Sequence, residues 1–157
     1  MQHIFKSSPV RNIDMLKHDG TFLGETIIIP PELEKLVGIN ASIVLNKFID
    51  KKHKYLPPNY DFGNDEYNIK HKRENEILKL TLMNEDKIIE YKGHYLFYYP
   101  QKEVAEDCGM SIPSATKAIK QLEQAGILIS IKHGIPQKKY YFINFDFDME
   151  IEVKNDE

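Results

Sequence analysis

The segment from Gln101 to Leu128 constrains the fold most, because two helix signals follow each other in it with a single glycine between them. Helical periodicity predicts a short helix over residues 101–108, and Gly109 suits the positive φ of a tight turn. Ser111 can cap a second helix that begins at Ile112, and proline is tolerated in the first turn of such a helix. We therefore predict two helices joined by a tight turn.

The second helix has one apolar face, on which residues recur at intervals of three, four and seven. This inner face consists of Ala115, Ala118, Ile119 and Leu122. Ala105 is small enough to let the second helix cross the first one closely, and Cys108 closes the apolar side of the first helix. Gly126 ends the second helix, and two strands are predicted after it, at 127–131 and 140–144, joined by residues 132–139.

A pair of helices with a turn glycine, a capping serine and two following strands resembles the winged helix-turn-helix of bacterial and phage DNA-binding proteins. The resemblance implies an α+β, mainly helical fold: a winged helix-turn-helix with N-terminal helices and a two-stranded wing. It also implies that the second helix enters the major groove, where its first residues meet base edges. The DNA-binding residues expected on this basis are Ser111, Pro113, Ser114, Thr116, Lys117, Lys120, Gln121, Lys132, His133, Lys138 and Lys139.

Within that set, Ser114 and Lys117 are best placed for bases, while Lys120 and Gln121 are expected at phosphates. The whole chain carries a formal charge of −3, which is not that of a generally basic nucleic-acid coat. From Ile112 to Tyr141, however, five lysines stand against one glutamate, which is a local charge of +4. This asymmetry favours a DNA-binding face, although the helix lacks arginine and a protein–protein interaction module would show a similar basic surface.

The N-terminal half predicts further elements that lead into this unit. A short strand is expected at Thr26–Ile29, and a short helix at Glu32–Val37 after a pair of prolines. Gly38 then suits a positive φ, and Asn40 is expected to cap a helix from Ala41 to about Lys52. The aromatic run His94–Tyr99 reads as a strand, whose residues could alternatively stack on unpaired bases.

The order of these elements from Ile27 to Asn144 is similar to that of the N-terminal winged-helix domains of phage replisome organisers and plasmid replication initiators. The similarity implies duplex DNA as partner and a role in replication initiation, with contacts to replication or transcription machinery. A transcriptional regulator of the winged-helix type, a protein–protein interaction module and a regulator that senses a small ligand remain alternatives.

The expected organisation is an N-terminal arm at residues 1–26, a winged-helix domain at 27–146 with an insertion at about 54–92, and an acidic tail at 147–157. The insertion holds a turn-rich loop at 56–64 and a helix at 68–83, with Ile77, Leu78, Leu80 and Leu82 turned inward. This helix and the first 25 residues are the candidate interface of a homodimer. The acidic tail is a candidate shield for the basic face.

Composition gives no support to an enzyme. The six histidines show no metal-ligand spacing, the lone Cys108 falls on an apolar helix side, and no glycine-rich phosphate loop is present. We therefore expect no catalytic site, no metal and no cofactor. The start of the chain shows no secretory pattern and no apolar run is long enough for a membrane span, so a cytoplasmic protein is expected.

Overall fold

The computed structural model describes residues 11–17, 19–55 and 65–144, which form an α+β fold with two antiparallel sheets. The α+β class expected from the sequence is thus confirmed. The expected loop at 56–64 and the acidic tail at 147–157 lie outside the described residues. The elements in chain order are β1 (Arg11–Leu16), β2 (Phe22–Ile29), α1 (Pro31–Val37), α2 (Ile39–Tyr55), α3 (Asp65–Asn84), β3 (Ile88–Tyr91), β4 (His94–Tyr98), α4 (Gln101–Cys108), α5 (Ile112–Gln124), β5 (Leu128–His133) and β6 (Lys138–Ile143).

Strands β1 and β2 form a hairpin, whose register runs from Arg11 opposite Ile29 to Leu16 opposite Phe22. The expected strand at Thr26–Ile29 is the second half of the longer β2, so this strand crosses the boundary that we placed after residue 26. One face of the hairpin buries a small core of Met15, Ile27 and Ile29, against which Ile43 of α2 packs. The hairpin is therefore attached to the helical part of the molecule by apolar contacts.

Helices α1 and α2 follow each other with only Gly38 between them, and this glycine has a φ of 87°. Helix α2 begins at Ile39, so Asn40 lies inside the helix and does not cap it as we expected. The reason is that the positive φ of Gly38 already turns the chain, and the Gly38 carbonyl accepts bonds from the Ser42 amide and hydroxyl. The inner side of α2 packs into the core, with Val44, Leu45 and Phe48 fully buried.

The four-stranded sheet has the order β3-β4-β6-β5, and all neighbours in it are antiparallel. The aromatic strand at His94 is confirmed, but β3 was not predicted. Strands β5 and β6 reach further than expected, because ladder pairs continue to Lys132–Lys139 and His133–Lys138. The expectation that these four residues belong to the connecting loop is therefore wrong.

The helices cover one face of this sheet and share a core with it. The Phe48 ring lies 4.8 Å from that of Tyr99, 4.9 Å from that of Tyr141 and 6.0 Å from that of Phe97, measured between ring centroids. Residues Val104, Ala105 and Cys108 of α4 belong to the same core, as do the four predicted inner residues of α5. The inner faces predicted for α4 and α5 are thus confirmed.

Helix α3 contradicts the expected inner face. Leu82 is buried, but Ile77 and Leu80 are 55% and 58% exposed, and Leu78 is 39% exposed. These four residues lie at helical angles too far apart for one side of the helix to contain them all. Packing therefore covers the Leu82 side and leaves Ile77 and Leu80 on the surface.

The turn between α4 and α5 is also the place where the N-terminal hairpin approaches most closely. Gly109 has a left-handed φ of 67°, and a Cβ atom at this position would lie 2.1 Å from the carbonyl oxygen of Leu16. Such a distance is far inside van der Waals contact, so only glycine fits. Position 109 thus meets two requirements, the turn conformation and the approach of the hairpin backbone. Across the described ranges, no helix is both long and apolar enough to cross a bilayer.

Candidate nucleic-acid interface

Helix α5 is held in place by local signals at its start and by packing along its length. The Ser111 hydroxyl accepts a hydrogen bond from the Ser114 amide at 3.2 Å, as expected for the cap, and Pro113 occupies the first turn. Its inner face, Ala115 to Leu122, is at most 1% exposed. A rigid helix with fixed ends presents its opposite face in a defined geometry.

That opposite face carries Pro113, Lys117, Lys120 and Gln124, all of them exposed. These residues are centred opposite the buried side at 100° per residue. Neither lysine forms an ion pair with another residue in the described part of the chain. The face therefore combines two uncompensated cations with an amide that can donate and accept hydrogen bonds.

The residues at the two edges of this face are occupied by neighbouring elements. On one edge, Ser114 and Gln121 are half-buried and line, with Lys117 and the start of α2 at Gly38–Asn40, a cleft of about 270 Å³. On the other edge, the Thr116 hydroxyl donates to the Gln101 side chain at 3.1 Å. Within the expected DNA-binding set, Lys117 is thus more freely presented than Ser114 or Thr116.

The β5–β6 hairpin is tied to α5 through Glu123. One carboxylate oxygen accepts from the Lys139 ammonium at 2.9 Å, and the other accepts from the Ser130 hydroxyl at 2.8 Å. Lys139 is therefore neutralised by an ion pair and differs from the other lysines in the expected set. Its pairing fixes the hairpin relative to the helix.

The other basic side chains of the hairpin lie at or near the surface. Lys132 and His133 of β5 are exposed. Lys138 is half-buried, with its ammonium 5.3 Å from the centre of the Tyr98 ring, a cation–π arrangement. The His133 ring lies 6.0 Å from the Tyr140 ring, edge to face.

Two of the three acidic residues of α4, Glu103 and Asp107, are turned toward α2, which helps a chain of negative net charge to keep a basic α5. Lys51 of α2 is only 8% exposed, bonds to Glu103 and lies 4.0 Å from Asp107. The Tyr99 hydroxyl donates to Asp107 at 2.6 Å, and burial together with this carboxylate raises the pKa of Tyr99 above its usual range. These carboxylates are occupied away from the exposed lysines of α5.

Two features of the site escaped sequence reasoning. Glu123 was counted only as a negative charge, although it joins the helix to the hairpin, and the start of α2 was not expected beside Ser114. The Glu123–Lys139 pair spans 16 positions, and no local pattern announces a contact at such a separation. Pairing of this kind depends on the register of β6, which the sequence did not reveal.

Cys108 takes the place expected for a small core residue. It is 3% exposed, and burial raises the pKa of its thiol to about 12. Very little of it is the reactive thiolate near neutral pH. Among the described residues, no group of three or more His, Cys, Asp or Glu side chains is placed to hold a metal ion. The chemistry offered by α5 and its hairpin is that of cations and hydrogen-bond donors.

Comparison of the chain with protein-family models, with curated proteins and with solved structures finds no match in any of the three.

Proposed function

We propose that this chain is a winged-helix protein that binds duplex DNA through α5 and the β5–β6 hairpin. The order α2, β4, α4, α5, β5, β6 supports this, because it is the order of helices and strands in a winged helix. In that arrangement, α4 is the first helix of the helix-turn-helix and α5 the recognition helix. Helix α3 and strand β3 are then the insertion.

The observation that carries the proposal is the exposed face of α5, with Lys117 and Lys120 free of ion pairs among the described residues. Two lysines without acidic partners would be attracted to the strongly negative groove of DNA. Because the helix that carries them is already ordered, little backbone conformational entropy would be lost on binding. The opposite arrangement, lysines neutralised by neighbouring carboxylates, occurs elsewhere in this molecule and would not favour a phosphate backbone.

In the mechanism, the start of α5 lies in the major groove. Lys117 reaches base edges, and Lys120 meets a phosphate on the groove wall. Lys132, His133 and Lys138 contact the backbone beside the groove. Lys139 acts indirectly, because its pair with Glu123 holds the hairpin at a fixed distance from the helix.

The biological setting rests on the resemblance alone. It favours replication initiation in a phage, plasmid or bacterial cytoplasm over transcriptional regulation. A homodimer fits this setting, since many helix-turn-helix proteins bind two half-sites. The exposed Ile77 and Leu80 on α3 favour a dimer contact there, as do Leu16 and Phe22, 49% and 54% exposed, on the N-terminal hairpin.

The direct test is fluorescence anisotropy with random and genomic duplexes over a range of salt concentrations. The double variant Lys117→Ala, Lys120→Ala is expected to lower affinity about 10- to 100-fold and to reduce the salt slope by about 2, because two phosphate or base contacts are lost. The matched control is Lys54→Ala, Lys92→Ala, which removes the same charge at the end of α2 and in the β3–β4 turn, at the end of the sheet opposite to the β5–β6 turn.

The control variant is expected to bind within about twofold of the unmodified chain, since only long-range attraction changes. Equal losses of DNA affinity in both variants would mean that binding depends only on the net charge of the protein, and would contradict the assignment to α5. Absent binding, or binding insensitive to salt, would favour a protein–protein interaction module.

A further inference from the structure

The four-stranded sheet has a second face, turned away from the helices. Successive side chains of a strand point to opposite faces. Phe97 of β4 and Tyr141 of β6 belong to the helix-side core. Their neighbours in the strands therefore lie on the other side, which we call the outer face. It carries Ile89, Leu96, Tyr98, Ile129, Ile131, Tyr140 and Phe142.

The outer face is apolar and aromatic across its width. Register places Ile129 opposite Phe142 and Ile131 opposite Tyr140, and Tyr140 also stands opposite Tyr98. The Tyr98 and Tyr140 rings lie 5.7 Å apart. Leu96 and Tyr140 are each only 2% exposed, although neither belongs to the core clusters formed by the described residues. A face of this composition requires cover in water.

Cations stand at one end of this face. The ammonium groups of Lys87 and Lys138 lie 5.9 Å and 5.3 Å from the centre of the Tyr98 ring. His133 is exposed in the same part of the sheet, with its ring against Tyr140. An occupant with an apolar side and negative charges would match both the aromatic surface and these cations.

The chain itself contains such a sequence directly after β6. From residue 145 to residue 153, apolar and acidic residues alternate without a break. The apolar positions are Phe145, Phe147, Met149, Ile151 and Val153, and the acidic positions are Asp146, Asp148, Glu150 and Glu152. A period of two gives an extended segment one wholly apolar side and one wholly acidic side.

The attachment point is well placed for this segment to return over the sheet. Asn144 is fixed at the end of β6, where its amide donates to the Ile127 carbonyl at 2.7 Å and its side chain donates to the Gly126 carbonyl at 3.2 Å. Nine extended residues reach roughly 30 Å, and a four-stranded sheet is roughly 15 Å wide. The length therefore suffices for a reversal and a crossing of all four strands.

We propose that residues 145–153 dock on the outer face of the sheet of their own chain. The five apolar side chains cover Leu96, Tyr140 and Phe142, and the acidic side faces solvent and the flanking cations Lys87 and Lys138. This docking shares Lys138 with the DNA-binding proposal but does not depend on the exposed face of α5. It assigns the acidic segment to the sheet instead of to the exposed lysines of α5.

The test uses the thiol of an Ile131→Cys variant of the full chain as a reporter for the outer face, with Ile129→Cys as a second reporter if the first does not fold. Cys108 gives little background because it is buried. Adding Phe147→Ser and Ile151→Ser is expected to raise the maleimide labelling rate at least about tenfold, since the cover is lost. The matched control adds Asp148→Ser and Glu152→Ser and should change the rate less than about threefold.

Four outcomes decide the proposal. Faster labelling in the apolar-side variant alone, at a rate independent of protein concentration, supports it. Equal labelling in all variants overturns it. Protection that rises with protein concentration, together with a dimer in sedimentation velocity, assigns the face to a second copy and overturns it. Protection that appears only with a single-stranded oligothymidylate assigns the face to unpaired bases and likewise overturns it.

Discussion

Helices α2 and α5 both carry several lysines, but the fold gives them different surroundings. On α2, Lys47 pairs with Glu25 of the N-terminal hairpin, and Lys51 is buried against Glu103 and Asp107 of α4. On α5, Lys117 and Lys120 are exposed and make no ion pair with any residue in the described ranges. Lysine therefore links α2 to neighbouring elements through ion pairs, whereas on α5 it leaves positive charge exposed at the surface.

The difference teaches that a count of charges says little about the potential at a surface. Lys47 and Lys51 of α2 are paired with carboxylates that come from distant parts of the chain. Their contribution is to structure, because a buried ion pair is specific in geometry and costly to break. Lysines without such partners keep their field, and only these are available to a polyanion.

The largest expected effect is on stability. Lys51→Met should lower the free energy of unfolding by about 1–3 kcal/mol, because Glu103 and Asp107 lose their cation, and their own partial exposure limits the loss. Lys117→Met should change it by no more than about 0.5 kcal/mol, as at an ordinary surface position. Urea denaturation of the two variants measures both values. Equal losses would remove the distinction between α2 and α5.

A smaller effect is expected on DNA affinity when a paired lysine is released. Glu123→Gln frees Lys139 beside α5 and should tighten duplex binding about threefold at low salt, because one more cation faces the phosphates. Glu25→Gln releases Lys47 and adds the same charge at α2, and it should leave the affinity unchanged within about 1.5-fold. Anisotropy titrations of both variants provide the comparison. Equal tightening would mean that only net charge matters.

The smallest effect is expected when both members of the α5 pair are neutralised. The double variant Glu123→Gln, Lys139→Gln keeps the net charge and retains polar groups for a neutral hydrogen bond. DNA affinity should stay within about twofold of the unmodified chain, since Lys139 contributes position and not free charge. A loss of tenfold or more that Glu123→Gln alone does not show would mean that Lys139 contacts DNA directly.

Sequence reasoning succeeded where the signal was local. The cap at Ser111, the turn at Gly109 and the inner face from Ala115 to Leu122 all depend on residues a few positions apart, and all are confirmed. The α4–α5 pair could be predicted because side chain, backbone conformation and periodicity agree within one short segment.

Prediction failed where distant residues decide the structure. The length of β5 and β6 depends on their mutual ladder, so Lys132 and Lys138 were wrongly placed in a loop. The pairing of β4 with β6 joins Phe97 to Tyr141, and no periodicity within either strand encodes that partner. For α3, four apolar residues at different helical angles left the buried side undetermined.

The contact between Gly109 and Leu16 has a consequence for anyone who wishes to move α4 and α5 into another scaffold. The backbone of residue 16 fills the space above the turn, and the turn sets the direction in which α5 leaves. A graft of residues 101–124 alone would lack Leu23, and the apolar surface around Met110 would be exposed to solvent. Transplantation should therefore include residues 11–29, so that the helix pair keeps the segment against which its turn is shaped.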